Sequence, residues 1–411
     1  MADHRTVRRP GLRILILLET LTTGGAELFA IRLANALAAE HEVLLAVMHG
    51  ELVEQPLRQA VSPEVLFEAL HLPAKRWWFR ADTALRRLRL DRSFLRAAQH
   101  RWLSRLVADF RPDIVHSHLL KADWLALQTR AQQATSFRHV LTMHGDYAPF
   151  LAGQSDPQIL HIGEVVRSVL DRTDGVVAIC DEHRRFLLQI DPSLEGKVET
   201  IVNGYQASSG SPVPPLQAAE FRFGMVSRGV RLKGWDVAIE AFALLGRPGA
   251  TLTLVGEGPH LNQLRTRPLP SNVHLVGATS EPLGYIRQFD ASLLPTLFPH
   301  ESLPTVIIEY LLCGKPVIAT DVGEVRTMLT APDGTMAGRL LDFARSTVSP
   351  IQLAGFMAEL MDNAALRLTM SQAATQAAKR FDMRRCVEAY LTLYRRLIDG
   401  SPSTPATRSN H

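Results

Sequence analysis

The sequence predicts an α/β protein built as two domains of parallel sheet. Three observations carry this. The chain has 411 residues, enough for two ordinary domains. Two series of short apolar or β-branched runs alternate with helix-period segments, as in a parallel sheet covered on both faces. Between the two series lies "YQASSGSPVPPLQAAE", Tyr205–Glu220, which is rich in Ser and Pro and lacks periodicity.

In order, Leu12–Leu18 reads as a buried strand and "AELFAIRLANALAAE" as an amphipathic helix. "EVLLAVMHG", "DIVHSHL", "RHVLTMHG", "GVVAICD" and "VETIVNG" are further strands, each closed by turn residues. After the aperiodic stretch come "FRFGMVS", "ATLTLVGEG", "NVHLVG", "ASLLPTL" and "PVIATD". The last helix, Met383–Ile398, carries Val387, Tyr390, Leu391 and Tyr394 on one stripe. The expected organisation is an N-terminal domain over 1–205, a linker over 206–220 and a C-terminal domain over 221–380. A helix over 381–400 packs back on the first domain, and a polar, disordered tail follows over 401–411.

Bulk properties exclude several classes. Apolar residues make up 46% and charged residues 21%, which suits a soluble globular chain. The net charge of +4 makes no demand for nucleic acid. Cys180, Cys313 and Cys386 have neither metal spacing nor an even-numbered disulfide framework, which fits a reducing cytosol. Arg8 and Arg9 before "LRILILL" resemble a secretory leader, but that run is short and lacks a small-residue cleavage site, so a strand is expected. No apolar stretch approaches the roughly 20 residues needed to span a bilayer.

The densest chemistry lies in "FPHESLPTVIIEYLLCGKPVIATDVGE", Phe298–Glu324. Pro304 suits a helix start, while Gly314 and Pro316 suit its end, giving a helix of about Pro304–Cys313. Glu301 then lies on the loop before it, and Glu309 inside it among Ile307, Ile308 and Leu311. A carboxylate there either caps backbone or meets an arginine, or it accepts hydroxyls of a polar ligand such as a ribose. Upstream, Arg228 and Lys233 bracket the loop after a strand, and α/β proteins bind ligands at the carboxyl ends of strands. Arg offers a planar fork and Lys a mobile point charge for phosphate, although a solvated surface is the plainer reading. "VGEGP", with Gly256, is another strand-to-helix turn that alone says little.

In the first half, Gly24 and Gly25 follow the first strand and permit close backbone approach, but not in the GxGxxG spacing of a dinucleotide site. His116 and His118 share one face of a strand, and His144 ends another. Three histidines raise a metal site. Two on one strand are more often buried and hydrogen-bonded, and no metal is expected.

Arg228 and Lys233 before a helix, "VGEGPHLNQL", "NVHLVG", the Glu301/Glu309 pair and "CGKPVIATDVGEVRTML" occur in one order. That order resembles the retaining nucleotide-sugar glycosyltransferases of family 4 (glycosyl transferases group 1). The resemblance covers about Leu12–Leu397. It implies the GT-B fold, two Rossmann-like domains facing across a cleft. It implies that Arg228 and Lys233 bind the donor diphosphate, Glu309 the ribose and Glu301 the donor sugar. Ser302, Leu303, Pro304 and Thr305 would supply amides to phosphate and sugar, and Gly256 belongs to the same donor site. Gly24 and Gly25 would lie over the phosphates, His144 near the reacting sugar and His118 on the acceptor side. Asn203 and Gly204 match the turn before the linker. Ser302 and Leu303 depart from the usual glycine and aromatic, and Tyr310 stands where a small residue is usual.

The implied reaction moves a sugar from a UDP- or GDP-sugar to a hydroxyl of a glycan or lipid-linked acceptor, without a cofactor, in cell-surface polysaccharide synthesis. A front-face displacement, in which the leaving phosphate takes the hydroxyl proton, fits the lack of an obvious nucleophilic carboxylate. A sugar phosphorylase, a sugar-nucleotide epimerase and a non-catalytic sugar-nucleotide-binding protein stay as alternatives on the same architecture.

One stretch stands outside this pattern. Lys75–Arg105 holds ten Lys/Arg against Asp82 and Asp91, with Trp77, Trp78 and Phe79 among them. It reads either as a solvated helix face or as a surface for anionic lipid, docking a cytoplasmic protein through Arg86, Arg87 and Arg89 on the inner face of the membrane. Leu95, Ala98, Trp102 and Leu106 are the expected core stripe of its helix.

Overall fold

Residues 11–72, 82, 93–132, 137–145, 147–154, 156, 159, 161–206, 213–216, 220–299 and 301–400 are described by the computed structural model. Arg8 and Arg9, Lys75–Arg92 apart from Asp82, most of the expected linker and the 401–411 tail lie outside the described residues. The chain divides into two units, residues up to Gly204 together with the helix Met383–Asp399, and Tyr205–Asp382.

The first unit is a seven-stranded sheet in the order β3-β2-β1-β4-β5-β6-β7, every pair parallel. Its strands are β1 (Arg13–Leu18), β2 (Glu42–Val47), β3 (Leu66–Ala69), β4 (Ile114–His118), β5 (Arg138–Met143), β6 (Gly175–Ala178) and β7 (Val198–Thr200). The continuous apolar run of β1 follows from covering both faces. Ile14, Ile16 and Leu18 join Phe29, Tyr390 and Tyr394 on one side. Leu15 and Leu17 join Leu103, Val107 and Phe110 on the other. Tyr390 and Tyr394 bring the last helix into the core of this unit.

The helix Phe94–Phe110 is rotated from expectation. Leu103, Val107 and Phe110 are its core residues, with Trp102 and Leu106 only flanking them. Leu95 and Ala98 are half-buried. The expected stripe is one residue, about 100° of turn, from the buried one. The last helix shows a smaller offset. Cys386, Tyr390, Leu393 and Tyr394 are its buried line, and Val387 and Leu391 sit at the margin.

The second unit is a six-stranded parallel sheet in the order β10-β9-β8-β11-β12-β13. Its strands are β8 (Phe221–Val226), β9 (Ala250–Val255), β10 (Val273–Gly277), β11 (Ala291–Leu294), β12 (Val317–Thr320) and β13 (Gly338–Leu341). Both sheets reverse their winding beside their first strand, between β1 and β4 and between β8 and β11. Beyond the carboxyl ends of such a pair lies the usual ligand position of an open α/β sheet. Among the described residues no helix is long and apolar enough to cross a membrane.

Candidate functional site

In the second unit the chain leaves β8 and β11 through two loops that are locked together. Gly234 has φ +83°, and a Cβ there would lie 1.8 Å from the Pro295 carbonyl oxygen. Only glycine lets the "RLKG" turn sit this close to the end of β11. The Leu297 amide donates to the Leu232 carbonyl over 2.7 Å. This contact delivers Lys233 to Glu301, and Lys233 Nζ forms an ion pair with Glu301 Oε2. The Thr296 hydroxyl lies 3.2 Å from the same carboxylate oxygen. The two side chains are only 15% and 12% exposed, so the pair is shielded from water. From the opposite side, Gly323 has φ +54° and its missing Cβ leaves room for the Glu301 carbonyl. The Glu324 amide donates to the Ser302 carbonyl over 2.9 Å. The "DVGE" stretch thus cradles the backbone that carries Glu301.

Arg228 lies at the start of the same loop after β8 and is exposed. Its backbone is fixed on both sides. The Gly229 amide donates to the Glu257 carbonyl over 2.7 Å, and the Trp235 indole N–H donates to the Ser227 hydroxyl over 2.8 Å. Gly256, at φ +142°, is required because a Cβ would lie 1.8 Å from the Ser227 carbonyl.

The helix predicted as Pro304–Cys313 spans Thr305–Leu312, with Pro304 as N-cap. Ile307, Ile308, Tyr310 and Leu311 are buried while Glu309 is half-buried, so its carboxylate lies at the margin of the apolar face. Glu309 Oε1 accepts from the Tyr205 hydroxyl over 3.0 Å. Pro304 cannot supply an amide, since proline has no N–H, so its expected role as a donor to phosphate is corrected to a structural cap. Tyr310 is fully buried under the site. Its phenol oxygen accepts from the Val226 amide over 2.8 Å and donates to the Leu293 carbonyl over 3.2 Å. β8 and β11 pair only at Ala291↔Phe223 and Ser292↔Gly224. Tyr310 therefore bridges the two strands where their own ladder has ended.

In the first unit Gly24 caps the helix Gly25–Leu37 in extended backbone. A Cβ on it would lie 2.3 Å from Glu27 Oε2, so the glycine makes room for a carboxylate that the motif reading passed over. Glu27 is buried, which raises its pKa, and Thr20 donates to it over 3.3 Å.

Side chains of β4 alternate across the sheet. His116 and His118 face the last helix. His116 lies 2.8 Å from the Thr142 hydroxyl through Nε2 and 2.7 Å from the Tyr394 hydroxyl through Nδ1. His118 Nδ1 lies 2.8 Å from His144 Nε2, which leaves no room for an ion between them. His118, expected on the acceptor side, is fully buried. Its ring partner His144 is partly exposed. Burial holds His116 and His118 well below the usual histidine range and lowers His144 to about 3. On the other face, Ser117 donates to Asp123 over 2.7 Å, and Tyr147 donates to the same carboxylate over 2.8 Å. Burial raises Asp123 to about 7 against those two hydrogen bonds.

Residues 23–208 match Glycosyltransferase Family 4, and residues 220–363 match Glycosyl transferases group 1. A D-inositol 3-phosphate glycosyltransferase of Kineococcus radiotolerans is 26% identical over 316 residues, 70% of this chain and 72% of that protein. An N,N'-diacetylbacillosaminyl-diphospho-undecaprenol alpha-1,3-N-acetylgalactosaminyltransferase of Campylobacter jejuni is 29% identical over 179 residues, 42% of this chain and 44% of that one. The crystal structure of Anabaena Alr3699/HepE in complex with UDP is similar with a TM-score of 0.70 at 19% identity, covering 93% of this chain and 99% of that one. The chain belongs to the group 1, family 4 glycosyltransferases of the GT-B fold.

Within this glycosyltransferase the structure brings Lys233 directly onto Glu301 and His118 onto His144. It ties Glu309 to Tyr205 and leaves Arg228 exposed. Tyr205 was not a candidate, because a tyrosine at a domain boundary carries no signal of its own. Asp123 was missed for a similar reason, since its partners Ser117 and Tyr147 come from other elements.

Proposed function

We propose that this glycosyltransferase takes a UDP-sugar on its second unit and transfers the sugar with retention to a hydroxyl of a glycan or lipid-linked acceptor. The observation that carries the reading is the shielded Lys233–Glu301 pair at the carboxyl ends of β8 and β11, with Glu309 on the helix that follows. Arg228 and Lys233 hold the diphosphate, Glu309 the ribose and Glu301 the sugar hydroxyls. The UDP and UDP-glucose complexes of the Anabaena relative support uridine over guanosine. The Campylobacter relative, named for a diphospho-undecaprenol acceptor, supports a lipid-linked acceptor and hence surface-polysaccharide synthesis at the inner face of the membrane.

In the proposed step the bond between the anomeric carbon and the phosphate oxygen breaks, and the acceptor oxygen bonds to the same face of that carbon. The acceptor proton passes to the departing diphosphate, whose charge Arg228 and Lys233 offset. Thermal shift with UDP-, GDP- and ADP-sugars tests the reading, because a ligand that binds only the native state raises its melting temperature. Stabilisation by UDP-sugars and not by ADP-sugars is expected. A protein indifferent to all three, or one that consumes a glucan with inorganic phosphate and no nucleotide, would overturn it.

A further inference from the structure

We infer that His118 is a positioning residue that fixes His144 as a neutral ring with its proton on Nδ1, so that His144 serves the sugar as a hydrogen-bond donor and not as a base. The inference rests on the place near the reacting sugar that the family resemblance implies for His144.

His118 Nδ1 and His144 Nε2 are 2.8 Å apart, so one nitrogen carries the proton and the other accepts. His118 is fully buried, and its other nitrogen, Nε2, has no hydrogen-bond partner among the described residues. A buried N–H without an acceptor is rarer in folded proteins than a buried acceptor left partly unfilled. The proton of His118 therefore lies on Nδ1 and is donated to His144 Nε2. With Nε2 of His144 committed as an acceptor, the proton of its neutral ring lies on Nδ1.

The surroundings hold both rings in this arrangement. His116 packs on His118 at 4.3 Å between centroids, and Phe29 meets His118 and His144 edge-on at 6.2 and 5.6 Å. His116 is itself held from both ends by Thr142 and Tyr394, so the stack cannot rotate freely. Two stacked, hydrogen-bonded rings beside the buried ring of His116 disfavour any added proton, which agrees with the lowered pKa of all three. A neutral N–H donor can hold a sugar oxygen throughout the reaction without changing its own charge. On the far face, Asp123 and Tyr147 pin the chain three residues beyond His144, which keeps that ring in register.

The test is nitrogen-15 spectroscopy of the full chain labelled at histidine, with the His144 signals assigned by their loss in His144→Gln. The expected spectrum shows an N–H-type Nδ1 and a lone-pair-type Nε2 for His144, unchanged between about pH 5.5 and 8. His118→Leu removes the donor, shifts His144 towards the other tautomer and lowers kcat by about tenfold, or 1.4 kcal/mol, with little change in donor KM. His118→Asn, whose amide can donate to the same nitrogen, recovers part of that loss. Wild-type His144 protonated on Nε2, or charged at neutral pH, would overturn the inference. A folded His144→Gln enzyme with the wild-type rate would remove the proposed place of His144 at the sugar, while the tautomer result would stand.

Discussion

The Tyr205 hydroxyl donates to Glu309 Oε1 over 3.0 Å, joining the first residue of the second unit to the middle of the helix that follows Glu301. The Tyr205 amide also donates to the Phe381 carbonyl over 2.7 Å, and Tyr205 forms a bridge with Asp382. The carboxylate assigned to the ribose is therefore anchored where the chain enters and leaves this unit. Tyr205→Phe should weaken UDP binding by about fivefold to tenfold, roughly the 1–1.4 kcal/mol of an ordinary hydrogen bond. Inorganic pyrophosphate, which has no ribose, should bind both proteins equally. Calorimetric titration of each ligand checks this, and equal losses for both would place Tyr205 elsewhere in the mechanism.

Lys233 and Glu301 lie in contact with little exposure, so removing one leaves the other desolvated. Lys233→Ala should destabilise the second unit, and Glu301→Gln added to it should cost less than it does in the wild type. The expected coupling in a double-mutant cycle is about 1–3 kcal/mol. Denaturant melts of the four proteins measure it, and additive effects would show that the pair contributes nothing.

Tyr310 bridges β8 and β11 where they splay apart. Tyr310→Phe keeps the ring but strips partners from the Val226 amide and the Leu293 carbonyl, a loss of about 1–3 kcal/mol. Tyr310→Ala adds a cavity under the site and should cost about 3–5 kcal/mol. A Phe variant as stable as the wild type would show that the phenol is dispensable.

The first unit should be acid-labile. His139 and His144 are lowered to about 3, with His116 and His118 also well below the usual value, all chiefly by burial. Depressed histidines contribute stability that is complete above the unfolded pKa near 6.5 and is lost as pH falls towards the folded values. Asp123, raised to about 7, and Glu27, also raised, act in the opposite sense, since their contribution is lost as pH rises through the folded pKa. Four histidines outweigh two carboxyls, so stability should fall as pH drops from 6.5 to 4.5, by about 1.4 kcal/mol per pH unit for each net proton. Scanning calorimetry across that range checks the sign, and a melting temperature that rises on acidification would contradict it.

The fold was legible wherever a strand is covered on both faces. β1 reads as an unbroken apolar run because both of its sides are buried. β3 and β13 were not quoted as strands, since each is a four-residue edge with half-exposed polar positions that break the pattern. The Glu301 and Glu309 spacing and the turn glycines were visible because backbone demands leave fixed residue types behind. Tyr205–Glu309 and Asp123–Tyr147 were not, because such pairs depend on contacts between distant segments and leave no local pattern.

In the proposed donor site, Lys233 and Glu309 of the second unit grip one nucleotide. Calorimetric titration of UDP into the wild type, Lys233→Ala and Glu309→Gln tests it most directly. Measurable binding to the wild type and a loss of about tenfold or more in each variant are expected, with both variants remaining folded. Equal affinity of all three proteins for UDP would contradict it.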